Sequence, residues 1–220
     1  MTDPTDEPVI LILGGTAEAQ ALAQRLGARG GLAVATARDM GAHEGGALTA
    51  VVDARHPCAT GISRAPVPIL RLWRPEWRAG PGDDWVHVAD GIEAARAVPD
   101  GATIFVATGR GRLPELSGLS GRSTVWWRRR GPADAPFPFD AGGWLTEEGP
   151  FTETRERALF RRLGIDWMIL QNAGGEGAWP KLAAARALGV KVAMIARPPR
   201  PAPSVESVDE ALAWVGEVLA

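Results

Sequence analysis

Val9-Ile10-Leu11-Ile12-Leu13-Gly14-Gly15-Thr16-Ala17-Glu18-Ala19 is the stretch that decides the fold. Five consecutive apolar residues read as a strand buried on both faces, the pattern of a parallel sheet. Gly14-Gly15-Thr16 reads as a tight turn in which Thr16 caps the Ala-rich helix Ala17 to Ala28. Strand, glycine turn and helix in that order are the building unit of parallel α/β proteins. Working outward, Gly30-Gly31 breaks the helix, and strands are expected at Leu32 to Ala37, Leu48 to Val52, Val67 to Leu72 and Trp85 to Val88. The pattern then restarts with helix Ile92 to Val98 and strands Thr103 to Ala107 and Thr124 to Trp127. A long loop, Arg128 to Pro150, precedes helix Thr152 to Leu163, strand Trp167 to Gln171, helix Lys181 to Leu188 and strand Lys191 to Ile195. A proline-rich loop (Pro198 to Pro203) and helix Val208 to Leu219 end the chain. The expected fold class is therefore α/β, with two Rossmann-like parallel-sheet halves at residues 1–90 and 91–220.

Composition narrows the function classes. With 220 residues, 45% hydrophobic and 23% charged, the chain can bury a sizeable core. A net charge of −2 gives no global field toward nucleic acid or an anionic membrane. The single cysteine, Cys58, excludes internal disulfides, and the three histidines lack metal-ligand spacing. A polar, acidic start and the lack of any long apolar run lead us to expect a cytoplasmic protein with no membrane partner; the negative net charge speaks against a nucleic-acid partner, and a monomer is expected. All basic residues except Lys181 and Lys191 are arginines, which suit bidentate capture of carboxylate or phosphate; GC-rich coding is the better account of the overall count, and the individual arginines beside glycine loops are the informative ones.

Candidate site residues cluster at expected strand ends, where ligands of open α/β sheets bind. Gly14, Gly15 and Thr16 form the first such loop, without the third glycine of a full dinucleotide fingerprint, and Glu18 there opposes a diphosphate. The second strand ends in Arg38-Asp39, where an acid favours the ribose hydroxyls of NAD and an arginine the extra phosphate of NADP; Arg38 comes first, which tilts the pattern toward NADP. Asp53-Ala54-Arg55-His56-Pro57 places an acid, a base and an imidazole within four residues; the alternative is a turn cap and a surface histidine. Thr108-Gly109-Arg110 offers a hydroxyl, a flexible backbone and a guanidinium, or a solvated charged turn. Asn172-Ala173-Gly174-Gly175 leads into a helix whose first turn carries Lys181, against the dipole, so an anion over that terminus or a solvated lysine explains it. Of the nine tryptophans, Trp73 and Trp77 flank Arg74-Pro75 and Trp126 and Trp127 precede Arg128; such rings beside arginines suit a flat polycarboxylate or single-stranded nucleic acid, though core filling accounts for most tryptophans.

Together these segments resemble the precorrin-6A reductase family of corrin-ring biosynthesis. The resemblance lies in Ile10-Leu11-Ile12-Leu13-Gly14-Gly15-Thr16-Ala17-Glu18-Ala19 and in Asp53-Ala54-Arg55-His56-Pro57-Cys58-Ala59, where Arg55 and Cys58 depart from the family pattern. It continues in Leu70-Arg71-Leu72-Trp73-Arg74-Pro75-Glu76-Trp77, in Asn172-Ala173-Gly174-Gly175 with Lys181-Leu182-Ala183-Ala184-Ala185-Arg186, and in Ala196-Arg197-Pro198. The segments 39–52 and 60–67 are shorter than is usual in the family. The resemblance implies two Rossmann-like halves that exchange strands, and an NADPH-dependent reduction of one double bond in precorrin-6A, a tetrapyrrole, to its dihydro form. Cofactor binding is expected at Gly14, Gly15, Thr16, Arg38, Asp53, His56, Thr108, Gly109, Asn172, Gly174, Gly175 and Lys181. Substrate carboxylates are expected at Arg71, Arg74, Arg110 and Arg197, with the four loop groups lining one shared cleft. The alternatives are reduction of the cobalt-containing substrate and a dinucleotide-sensing module without turnover.

Overall fold

The computed structural model describes residues 7–37, 48–59, 66–129, 131 and 135–220. In chain order, β1 (Val9–Leu13), α1 (Ala17–Gly27), β2 (Ala33–Ala37), β3 (Ala50–Asp53), β4 (Ile69–Leu72) and β5 (Trp85–Val88) are followed by α2 (Gly91–Ala97) and β6 (Thr103–Ala107). The chain continues through a 3-10 turn at Arg110–Arg112, α3 (Leu113–Leu116), β7 (Thr124–Arg129), β8 (Gly142–Thr146), α4 (Glu153–Leu163) and β9 (Trp167–Gln171). It ends with α5 (Pro180–Leu188), β10 (Lys191–Ile195), β11 (Ser204–Val205) and α6 (Val208–Val218). Two compact units result, one of residues 1–75 with 198–220 and one of residues 76–197. No helix among the described residues is long and apolar enough to cross a membrane.

The first unit carries a parallel sheet in the order β11-β4-β3-β1-β2. Ile10, Leu11, Ile12 and Leu13 have no exposed surface, as the uninterrupted apolar run requires. Period-two alternation sends Ile10 and Ile12 to one face, with Leu22 and Leu26 of α1 and Leu212 and Val215 of α6. Leu11 and Leu13 join Val51 on the other. Thr16 caps α1 through the Ala19 amide at 3.1 Å, and Ser207 with Glu210 forms a capping box at the start of α6.

The second unit carries a parallel sheet in the order β5-β10-β9-β6-β7-β8. Its two faces also follow the alternation. Ile104, Val106, Ile169, Ala193 and Ile195 pack with Leu116, Leu119 and Trp127. Phe105, Met168, Leu170, Val192 and Met194 pack with Leu159 and Phe160 of α4 and Leu182 of α5. Trp127 is fully buried, and its indole donates to the Thr108 carbonyl at 3.0 Å.

Contiguous halves at 1–90 and 91–220 do not match these units. β5 pairs with β10 in the second sheet, and β11 returns to pair with β4 in the first, so strands are exchanged between the two stretches of chain. Two expected loops contain strands. β8 lies inside the stretch read as a loop from 128 to 150; it is an edge strand that opens with Gly142-Gly143, residues of low strand propensity. Gly142 sits at φ +110°, and a Cβ there would lie 1.9 Å from the Val125 carbonyl oxygen. β11 is two residues long and follows the proline run, where no periodicity can register. The shortened segments 39–52 and 60–67 fall largely outside the described residues.

Candidate functional site

In the first unit, β1, β3 and β4 end at neighbouring positions, because Leu13 pairs with Asp53 and Asp53 with Arg71. The glycine turn after β1 is locked between its neighbours: the Gly14 amide donates to Ala37 and the Ala54 amide to Leu13, at 2.8 and 2.9 Å. Gly14 takes φ +123°, and a Cβ there would come within 2.9 Å of the Ala54 carbonyl oxygen, so the close approach admits only glycine. A Cβ on Gly15, by contrast, would meet nothing within 4 Å. The Thr16 hydroxyl donates to the Ala54 carbonyl at 3.0 Å while accepting the Ala19 amide. One hydroxyl therefore joins the start of α1 to the turn after β3.

Asp53 is the hub of that turn. It is 3% exposed and accepts the Arg55 Nε and Nη2 groups at 2.9 and 2.8 Å, the Arg55 amide at 3.1 Å, and Nη1 of Arg71. Burial alone would lift the Asp53 carboxyl, but the hydrogen bonds from Arg55 and the charge of Arg71 outweigh it and hold it below the ordinary aspartate value. Arg71, itself buried, donates from Nη2 to the carbonyls of His56 and Arg55 at 2.8 and 3.5 Å. Its guanidinium lies over the Trp73 ring at 5.6 Å. Burial lowers the Arg71 pKa against the opposing pull of Asp53, yet a guanidinium remains charged at any working pH. The His56 Nδ1 accepts the Cys58 amide at 3.1 Å, which in the neutral ring leaves the proton on Nε2. Arg74 donates to Glu18 at 3.1 Å, so the acid in the first turn of α1 has a cation beside it.

In the second unit the ends of β6, β9 and β10 carry the remaining candidates. Thr108 is buried at the end of β6, Gly109 opens the 3-10 turn, and Arg110 is exposed. After β9, Asn172 is 5% exposed and pairs reciprocally with Trp77: its Oδ1 accepts the Trp77 amide at 2.9 Å and its Nδ2 donates to the Trp77 carbonyl at 2.8 Å. Gly174 and Gly175 follow at φ +64° and +77°. Arg197, after β10, donates from Nε to the Asn172 carbonyl at 2.7 Å. The Lys181 ammonium donates to the Ala178 carbonyl at 2.8 Å and lies 5.9 Å from the Trp77 ring centroid. Those contacts supply a local reason for a lysine in the first turn of α5.

The structure thus gathers Gly14, Gly15, Thr16, Asp53, His56, Arg71 and Arg74 in the first unit, and Thr108, Gly109, Arg110, Asn172, Gly174, Gly175, Lys181 and Arg197 at strand ends or in the loops just beyond them in the second. Arg38 lies outside the described residues. Two participants stand in the quoted motifs but not among the expected cofactor or substrate contacts. Arg55, a departure from the family pattern, is the bidentate partner of Asp53. Trp77, the last residue of the motif Leu70 to Trp77, holds the loop after β9. Among the described residues no group of His, Cys, Asp and Glu could hold a metal ion.

Parallel sheets with glycine turns at the carboxyl ends of their strands define a Rossmann-like α/β protein, the class that presents loops to dinucleotides and other small ligands. The chain belongs to the precorrin-6x reductase family: the model of Precorrin-6x reductase CbiJ/CobK matches residues 41–216. It is 37% identical to the Precorrin-6A reductase of Rhodococcus erythropolis, over 94% of this chain and 97% of that protein. Identity to the Precorrin-6A reductase of a Sinorhizobium species is 34%, over 100% and 97% of the two chains. The solved structure of CobK precorrin-6A reductase superposes with a TM-score of 0.85 at 29% identity, covering 96% of this chain and 97% of that one.

Proposed function

We propose that this chain reduces precorrin-6A with NADPH during cobalamin biosynthesis. The observation that carries the reading is similarity along the whole chain to proteins of that name, spanning 97% of two of them. In the reaction one ring C=C bond gains a hydride at one carbon and a proton at its neighbour, and NADPH becomes NADP+. The nicotinamide, when bound, supplies the hydride.

The residues present fit such a cofactor. The start of α1 offers main-chain donors, Gly15 faces open space, and the objection raised by Glu18 is met by Arg74. Gly14, Gly15 and Thr16 would hold the cofactor there, Arg38 its extra phosphate, and Asp53 keeps the turn bearing His56 in place. In the second unit Thr108, Gly109 and the loop from Asn172 to Gly175, with Lys181 behind it, would bind through main-chain groups. Arg71 and Arg74 direct guanidinium groups at Asp53 and Glu18; with Arg110 and Arg197 they are the arginines proposed for the substrate's carboxylates.

The test is anaerobic incubation with NADPH and either metal-free or cobalt-containing precorrin-6A, followed by mass spectrometry. A gain of two hydrogens on the metal-free substrate with loss of nicotinamide absorbance is expected. Turnover of the cobalt form alone would move the enzyme to the other substrate, and bound NADPH without turnover of either would leave a sensor. NADPH should bind more tightly than NADH, and Arg38→Ala should erase most of that preference, at a cost of about 1.5–3 kcal/mol for a lost charge-assisted contact. Equal affinity of the wild type for both cofactors would refute the role of Arg38.

A further inference from the structure

We infer that Trp77 is a positioning residue of this reductase, setting the direction of the main-chain donors in the loop after β9; the inference rests on the reading of that loop as part of the cofactor site. Three hydrogen bonds tie Trp77 to the loop from 95 or more residues away in the chain. Its amide and carbonyl are clasped by the Asn172 side chain at 2.9 and 2.8 Å, and its indole Nε1 donates to the Gly175 carbonyl at 2.8 Å. Trp77 is 7% exposed and Asn172 5%, so water does not substitute readily for any of these bonds.

The consequence is directional. In a trans peptide the carbonyl and the following N–H point opposite ways. Holding the Gly175 carbonyl on the indole therefore aims the Glu176 amide away from Trp77, and that amide has no hydrogen-bond partner among the described residues. Gly174 and Gly175, both at positive φ, can turn either way at little cost, so the backbone does not choose this orientation by itself. Arg197 pins the Asn172 carbonyl at 2.7 Å and fixes the near end of the loop in the same manner. The loop is thereby a pre-oriented donor for an acceptor such as a cofactor phosphate oxygen, with the indole bond as its setting screw.

Trp77→Phe keeps an aromatic ring in the pocket and removes only the donor. The expected result is a rise of about tenfold in the KM and calorimetric Kd for NADPH, with the KM for precorrin-6A within about twofold of wild type. The melting temperature should move little. A lowered melting temperature with unchanged NADPH affinity would make Trp77 a packing residue and overturn the proposal, as would a rise in the precorrin-6A KM alone. Should Trp77→Phe not fold, Asn172→Asp, which removes the donor to the Trp77 carbonyl and keeps the acceptor, should give the same split between the two KM values; no split overturns it. Gly175→Ala separates the two ideas. If it weakens NADPH binding and Trp77→Phe does not, the positioning role is wrong and the cofactor reading survives. If neither does, both are wrong.

Discussion

Asp53→Asn should remove about 3 kcal/mol from the stability of the first unit. The carboxylate is 3% exposed and receives four hydrogen bonds, from Arg55 and Arg71. Breaking a buried pair by neutralising one partner costs about 3–5 kcal/mol, because the other charge stays buried without compensation. That description applies to Arg71, whose side chain is 8% exposed and whose Nε already lacks a partner. The Arg55 side chain is 13% exposed and regains some hydration, which sets the lower end of the range. The pH dependence carries a sign. A carboxyl whose folded pKa is depressed contributes its stability in full above the unfolded value, about 3.9, and loses it as the pH falls through the folded pKa. The gap between wild type and Asp53→Asn should therefore be complete at pH 6 and close below about pH 4. Most tryptophans lie in the second unit, so fluorescence would report the wrong unit. Native-state hydrogen exchange of the β1, β3 and β4 amides reads the first unit directly. A cost below about 1 kcal/mol, the range of exposed pairs, or a gap that persists unchanged into acid, would refute this account of Asp53.

Other perturbations follow from the same geometry. Arg74→Ala should weaken NADPH binding several-fold at low salt by leaving Glu18 uncompensated at the start of α1, and Arg74→Ala with Glu18→Gln should restore it; no rescue by the second change would remove Glu18 from the account. Gly142→Ala should detach β8 from β7, since its Cβ would lie 1.9 Å from the Val125 carbonyl oxygen at a φ of +110°, at a cost of about 3 kcal/mol or more. Unchanged exchange protection across residues 142–146 in that variant would count against the register of β8.

The legible part of the fold is the part written in continuous apolar runs. Val9 to Leu13, Thr103 to Ala107, Trp167 to Gln171 and Lys191 to Ile195 are central strands with neighbours on both sides, and each is expected and observed with the same bounds. A central parallel strand must be apolar on both faces, so burial is stamped on its composition. β8 and β11 are edge strands, each with a single neighbour. Their place depends on hydrogen bonds to β7 and β4 rather than on side-chain pattern, and Gly142-Gly143 and Pro203 disguise them. The unit border is illegible for a related reason. Nothing in the composition of Pro198 to Pro203 says that the chain leaves one sheet for another; only the pairing of Ser204 with Arg71 does.

At the site, sequence marks the loops and leaves open what their side chains do there. Asp53, Arg71 and Asn172 are polar groups at strand ends, the pattern that points to ligand contact. The same polar groups can instead hold a loop in shape, and the two uses differ only in what lies opposite. Arg55 meets Asp53 from two residues away, but the second partner of Asp53, Arg71, is 18 residues away and the partner of Asn172, Trp77, is 95. No spacing rule reaches across such distances. Each buried polar group at a strand end needs a partner, so an Asp or Asn there with an internal partner serves the backbone, and the loop's own amides and glycines become the ligand-facing surface. By that argument Asp53 with Arg71, and Asn172 with Trp77, keep the turns Gly14-Gly15 and Gly174-Gly175 in shape, and those turns are the surface we propose for the cofactor.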